Sequence, residues 1–165
     1  MIDVSLARRL KLVGLDVDGV LTDNGIYVGM VGDHPVELKR FHIQDGLGIK
    51  LLRDAGLVVV LASARRSEAT ELRARELKVD EVVQDKRKLP AFEDLLRRVG
   101  LPIAVANAVA EVVAAAQLVT RAPGGQGAVR EVAEHILQAR GEWHGLVTKY
   151  FVERGDVAHG AERSR

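Results

Sequence analysis

Leu10-Lys11-Leu12-Val13-Gly14-Leu15-Asp16-Val17-Asp18-Gly19-Val20-Leu21-Thr22-Asp23 sets the first element of the fold. Residues 10–15 are an apolar-rich run with one Lys and one Gly, and they lead into an acidic stretch that closes on Gly19, which reads as a buried strand meeting a turn. The same grammar returns downstream. Leu57-Val58-Val59-Val60-Leu61-Ala62 is a continuous apolar run of strand length, followed by Ser63-Ala64-Arg65-Arg66 and a helical pattern over residues 67–78. Residues 79–84 read as a strand, 90–99 as a helix with Pro at its first turn, 101–106 as a strand and 108–117 as a helix. An amphipathic helix over 128–140 ends at Gly141. Strands alternating with helices call for parallel pairing through right-handed crossovers, so the expected fold is α/β, a doubly wound parallel sheet with helices on both faces.

Between the first two strands the pattern is different. Ile26-Tyr27-Val28 and Val36-Glu37-Leu38 flank a turn-rich segment, residues 29–35, and predict a β-hairpin insertion with Ile26, Val28, Val36 and Leu38 as its apolar face, or a plain edge ribbon. A helix follows, with Leu47, Leu51 and Leu52 at helical spacing, Asp45 placed to cap its start and Gly56 to close its end. The chain reads as one domain over residues 1–150, with fraying beyond Tyr150 and a polar, aperiodic tail in the 151–165 stretch.

Composition narrows the function classes. With 24 Lys+Arg against 23 Asp+Glu the formal charge is +1, and only 4% of residues are aromatic, so neither a basic footprint nor a stacking platform for nucleic acid is present. Zero cysteines exclude a disulfide framework, a thiolate zinc site and a Cys nucleophile. The N-terminal residues do not read as a signal peptide, and the longest apolar region, 103–119, is interrupted by Asn107, Glu111 and Gln117. A soluble, cytoplasmic protein with no membrane partner is the expectation.

Ligands of such a sheet bind beyond the carboxyl ends of its strands. Asp16, Ser63 and the turn at residues 85–88 each follow an expected strand, so the fold brings three distant positions to one rim. Asp16 and Asp18 stand two apart, a period that in extended backbone puts both carboxylates on one side. One carboxylate can attack phosphorus to give an aspartyl-phosphate while its neighbour protonates the leaving oxygen and then activates water. Two anions meeting a third need a cation, and Mg²⁺ takes one or two carboxylates together with phosphate and waters. Ser63 offers a hydroxyl to a phosphoryl oxygen and Lys88 a positive charge. Each residue also has a plainer reading: an acidic surface turn, a helix cap, a solvated lysine.

The order of these residues resembles the haloacid dehalogenase superfamily of phosphohydrolases. Phe41-His42-Ile43-Gln44-Asp45-Gly46-Leu47-Gly48-Ile49-Lys50, Ser63-Ala64-Arg65-Arg66-Ser67 and Arg121-Ala122-Pro123-Gly124-Gly125-Gln126-Gly127-Ala128-Val129-Arg130-Glu131 narrow the resemblance to its 3-deoxy-D-manno-octulosonate 8-phosphate phosphatase family. The resemblance spans residues 10–150. It implies a Mg²⁺-dependent phosphatase of a phosphorylated sugar acid in lipopolysaccharide biosynthesis, with no large cap domain. Asp16 is then the nucleophile, Asp18 the general acid/base and a metal ligand through its backbone carbonyl, Ser63 the second-motif hydroxyl and Lys88 the third-motif lysine. Ala64, Arg65, Arg121 and Arg130 are the implied substrate contacts, the two later arginines also fitting exposed helix-flanking positions. A homotetramer is implied too, its hairpins at residues 25–41 meeting and neighbouring subunits closing each other's sites.

One departure bears on the metal. The family pattern expects a further strand and helix after residue 96, with a Gly-Asp-Asp-x-x-Asp cluster, and Leu95-Leu96 runs instead into Arg97-Arg98-Val99-Gly100-Leu101-Pro102. Asp16 and Asp18 would then hold Mg²⁺ with more water, or with Asp85 as a substitute ligand. Ser63-Ala64 also stands where the family favours Thr-Gly, and Gln44 where a basic residue is common. The competing expectation is a catalytically impaired relative acting as an oligomeric scaffold or binding module. A nucleotide-binding module fits least, because neither a Gly-x-Gly-x-x-Gly after the first strand nor a P-loop lysine motif is present.

Overall fold

Val13 and Leu15 are buried and alternate with less buried neighbours, as a strand with one face on the core requires, and the strand β1 is Leu12–Asp16 in the computed structural model. The structure describes residues 2–84, 87, 90, 94 and 100–155. A short helix α1, Val4–Arg9, precedes β1 and is capped by Asp3, whose carboxylate accepts from the Leu6 N–H at 3.0 Å. The apolar run after Leu57 forms β4, Val58–Ala62, whose last four residues are all buried, as expected of a strand covered on both faces. The third strand, β5, is Glu81–Val83. All pairing is parallel in the order β1-β4-β5, with Asp16 opposite Ala62 and Ala62 opposite Val83. The three strands therefore end level, and the residues after each one share a rim.

The hairpin strands are longer than the sequence suggests: β2 is Tyr27–Val31 and β3 is His34–Leu38. Most of the expected turn is strand, because Gly32 at φ +59° makes a tight two-residue loop with Asp33. That loop fixes the register, pairing Tyr27 with Leu38, Val28 with Glu37 and Gly29 with Val36. Directly opposed residues share a face, so the expected single apolar face is corrected: Val28 lies on the opposite side from Val36 and Leu38. Apolar side chains stand on both faces, with Val28 79%, Met30 63% and Leu38 64% exposed.

Helix α2, Ile43–Asp54, starts two residues before Asp45 and closes at Gly56, φ +78°. Asp45 does not cap its own helix, which corrects that expectation; its buried carboxylate accepts from Gly127 N–H at 3.1 Å and Arg130 N–H at 2.8 Å across the fold. Those donors open a later helix, α5, Ala128–Arg140, which ends at Gly141 as its sequence predicts. Helices α2 and α5 cross closely because Gly48 is bare: a Cβ there would stand 3.0 Å from the Arg130 Cα. Their facing side chains, with Ile49, Leu52, Ala133 and Leu137 fully buried, close the core over β1 and β4. Each buried Leu or Ile of that set contributes roughly 1.5–3 kcal/mol.

Helix α3, Glu68–Leu77, falls within the expected 67–78 and is capped by Ser67, whose hydroxyl accepts from the Thr70 N–H at 3.4 Å. The later elements are shorter than their sequence patterns: β6 is Ile103–Ala104, and the expected helix over 108–117 is α4, Ala110–Ala115, giving way to a strand β7, Leu118–Val119. Strands β6 and β7 pair parallel as a second small sheet. The last helix, α6, Trp143–Glu153, carries the ordered chain past Tyr150, and Trp143, Leu146 and Val147 pack on the core. Most of the expected helix at 90–99 and residues 156–165 of the tail lie outside the described residues. Among the described residues no helix is long and apolar enough to cross a membrane.

Candidate active site

Asp16 closes β1 at the rim, exposed, its carboxylate accepting from the Val17 N–H at 2.8 Å. The strand does not continue through Asp18. Residues Val17–Leu21 wind into a single wide turn in which Gly19 takes φ +90°, a conformation glycine adopts without penalty. Thr22, fully buried, ties this turn from within: its hydroxyl donates to Val17 C=O at 3.2 Å and accepts from Gly19 N–H at 3.3 Å. The two aspartates thus belong to a locked loop past the end of β1, in which Asp16 (φ −67°, ψ 151°) and Asp18 (φ −79°, ψ 106°) both keep extended backbone.

Asp18 is clamped at both oxygens. Lys39, just past β3, places Nζ 2.7 Å from Oδ1, and Ser63, just past β4, donates from Oγ to Oδ2 at 3.0 Å. The Lys39 side chain is only 1% exposed, so its ammonium is held against the carboxylate in a largely desolvated place where a charge-assisted hydrogen bond is strong. Ser63 is equally buried, fixed by its N–H to Val83 C=O at 2.9 Å, and its Oγ also accepts from Arg65 N–H at 3.1 Å. Of the expected convergence of Asp16, Ser63 and the turn at residues 85–88, Asp16 and Ser63 stand on one rim, at the ends of the paired strands β1 and β4.

Lys39 escaped the sequence reading, since it lies 21 residues from Asp18 and carries no spacing signal. Glu37 escaped it for the same reason. Its Oε1 stands 3.9 Å from Lys39 Nζ and its Oε2 pairs with the Arg65 guanidinium, so Asp18, Lys39, Glu37 and Arg65 form one run of alternating charge across the rim. Ala64 is exposed beside Ser63. Lys88 and Asp85, the expected lysine and substitute ligand, lie outside the described residues.

The Gly-rich segment packs directly on the acidic loop. Gly125 N–H donates to Val20 C=O at 2.9 Å, and a Cβ on Gly124 would fall 1.8 Å from the Gly19 carbonyl oxygen. The two arginines around it, Arg121 and Arg130, make contacts within the chain. Arg121 is 89% exposed, with its N–H and that of Ala122 accepted by Glu131. Arg130 stacks its guanidinium 4.7 Å over the Trp143 ring and pairs with Glu134 at 2.7 Å. For a cation, the Asp16 carboxylate and the Asp18 main-chain carbonyl are hard oxygen donors of the kind Mg²⁺ accepts alongside waters and phosphate. Among the described residues no cluster of three or more His, Asp or Glu could hold a metal by itself.

A parallel sheet whose first strand ends on an exposed aspartate, with a serine from the second strand reaching across to the next acid, is the layout of the haloacid dehalogenase phosphohydrolases. The chain is 35% identical over 163 residues to 3-deoxy-D-manno-octulosonate 8-phosphate phosphatase of Escherichia coli (strain K12), covering 84% of this chain and 85% of that one. A haloacid dehalogenase superfamily (subfamily III A) hydrolase of Legionella pneumophila superposes with TM-score 0.78 at 30% identity, covering 90% and 93% of the two chains. The Moraxella catarrhalis 3-deoxy-D-manno-octulosonate 8-phosphate phosphatase, solved with magnesium, phosphate and the sugar acid, superposes at TM-score 0.76 and 28% identity, covering 89% and 97%. The chain belongs to the 3-deoxy-D-manno-octulosonate 8-phosphate phosphatase family, phosphatases of the haloacid dehalogenase superfamily. No family model matches it.

Proposed function

We propose that this protein hydrolyses a phosphorylated sugar acid, 3-deoxy-D-manno-octulosonate 8-phosphate, through an aspartyl-phosphate on Asp16. The observation that carries the reading is the clamped Asp18 beside an exposed Asp16 at the end of β1. An Asp16 oxygen attacks phosphorus, and the bond from phosphorus to the sugar oxygen breaks as Asp18 delivers a proton to that oxygen. Asp18 then takes a proton from water, the water oxygen attacks phosphorus, and the Asp16 carboxylate leaves as phosphate is released. Lys39 and Ser63 hold Asp18 in one orientation for both steps.

Asp16 and the Asp18 carbonyl would hold Mg²⁺, which when bound neutralises charge on the phosphoryl oxygens. Lys88 supplies a further positive charge in this reading, and Arg65 the sugar-acid contact, with Ala64 beside it. Asp85 is the candidate for a third carboxylate ligand, and Arg121 and Arg130 are substrate contacts only if a neighbouring subunit or closure brings substrate to them. A homotetramer fits the hairpin, whose two faces both expose apolar side chains that need cover.

Phosphate release from a panel of phosphosugars, with and without Mg²⁺ and beside Asp16→Asn, tests the reading. Saturable, Mg²⁺-dependent release that disappears in Asp16→Asn is the expected result, with a raised Mg²⁺ requirement in Asp85→Asn if that residue is a ligand. No release at any Mg²⁺ concentration from a folded oligomer would favour a scaffold instead.

A further inference from the structure

A cavity of about 310 Å³ lies between β1 and β6, running along Leu10 to Asp16 and walled by Val129, Val132 and Ile136 of α5. Its two long sides are strand edges. Val58 N–H donates to Lys11 C=O at 2.9 Å, so Lys11, Val13 and Leu15 present their main-chain groups to β4. Alternation along the strand then turns the N–H and C=O of Leu12 and Gly14 the other way, into the cavity that both residues line. On β6, Pro102 C=O accepts from Gln117 N–H and Ala104 C=O from Thr120 N–H, so these residues face β7. Ile103 and the N–H of Val105 therefore face the same cavity from the opposite side. Among the described residues, none of these groups on Leu12, Gly14, Ile103 or the Val105 N–H meets a hydrogen-bond partner.

Leu12, Gly14 and Ile103 are partly buried and Val105 is 8% exposed, so these edges are shielded from part of the solvent, and a main-chain group left unpaired there costs up to about 1–3 kcal/mol. An alkyl or aryl ligand would fill the apolar walls and leave those groups unpaired. An extended peptide answers both requirements, because its side chains meet the apolar walls and its N–H and C=O groups alternate toward the two edges. We infer that the cavity accepts a strand from another polypeptide: an extended apolar segment, free of proline at the bonding positions, that inserts between β1 and β6 and joins the two sheets into one. Binding there needs no catalytic group, so it holds whether or not the phosphatase reading does.

The test is amide-resolved hydrogen exchange on the full chain, titrated with an acetylated and amidated peptide of about eight residues, alternating valine and alanine with a lysine at each end. Exchange at Leu12, Gly14 and Ile103 should slow at least about tenfold and saturate, while Val13 and Leu15, already facing β4, change less. The same peptide N-methylated at alternate positions should give no such slowing, since it lacks the donors. Val132→Trp, which fills the cavity from α5, should abolish the protection; if that variant does not fold, the N-methylated comparison on the parent decides. No slowing at these amides, or equal slowing by the N-methylated peptide, overturns strand insertion. Equal protection by indole would overturn it in favour of a small-molecule cavity.

Discussion

Asp45 is a charge placed in the core to serve another helix. Burial pushes its carboxyl above the ordinary value of 3.8, while the N–H groups of Arg130 and Gly127 pull it back. A raised folded value means the native state holds the proton more tightly, so this group's contribution is most favourable below 3.8 and declines as pH rises through the raised value. Asp45→Asn should remove that decline, which the difference between parent and variant in urea unfolding across pH 3–7 would reveal. Asp45→Ala leaves two partly buried N–H groups without their acceptor and should cost up to about 1–3 kcal/mol for each one stranded. Gly124 is constrained more simply. With 1.8 Å to the Gly19 oxygen, the Cβ of Gly124→Ala cannot fit, so the segment must lift off the acidic loop. Phosphatase activity should fall at least about tenfold through misplacement of the Asp16–Asp18 loop, with a lowered melting temperature; a variant with parental turnover would show that the loop holds its shape unaided.

The connection from β7 to α5 is fastened by Glu131 in the first turn of that helix. Burial alone would raise its carboxyl, but hydrogen bonds from the N–H groups of Arg121 and Ala122 outweigh it and hold the group below the ordinary 4.5. Such a group adds stability above 4.5 that is lost as pH falls through the lower folded value. Glu131→Gln keeps one acceptor and should flatten that part of the acid limb; an unchanged limb in thermal melts between pH 2 and 6 would remove Glu131 from the account. At the same scale the hairpin was legible in its existence and not in its register. Its alternating residues announce two strands, whereas the Gly32–Asp33 loop decides which faces they share. The helix α6 was missed because Gly145, Thr148 and its aromatic residues are weak helix formers, and packing of Trp143 and Leu146 on the core carries it.

For the whole molecule, the exposed hairpin predicts assembly: light scattering at micromolar concentration should give the mass of four copies, and Val28→Asp, at a position 79% exposed, should lower it without unfolding the chain. A parental mass of one copy would remove the hairpin from any interface. The α/β class was readable from the sequence alone, because apolar runs of strand length and helical periods record burial locally, and the places of Asp16 and Ser63 at one rim were readable because each closes or follows such a run. The order of residues along the chain also carried the family resemblance. Tertiary structure decided what depends on distant partners. Lys39 became the counter-charge of Asp18 only when the hairpin folded over the rim, and Asp45 capped a helix 82 residues away in place of its own. The open edges of β1 and β6 likewise exist only in the fold, since a main-chain group leaves no mark in the sequence and its need for a partner is set by what the folded chain puts beside it.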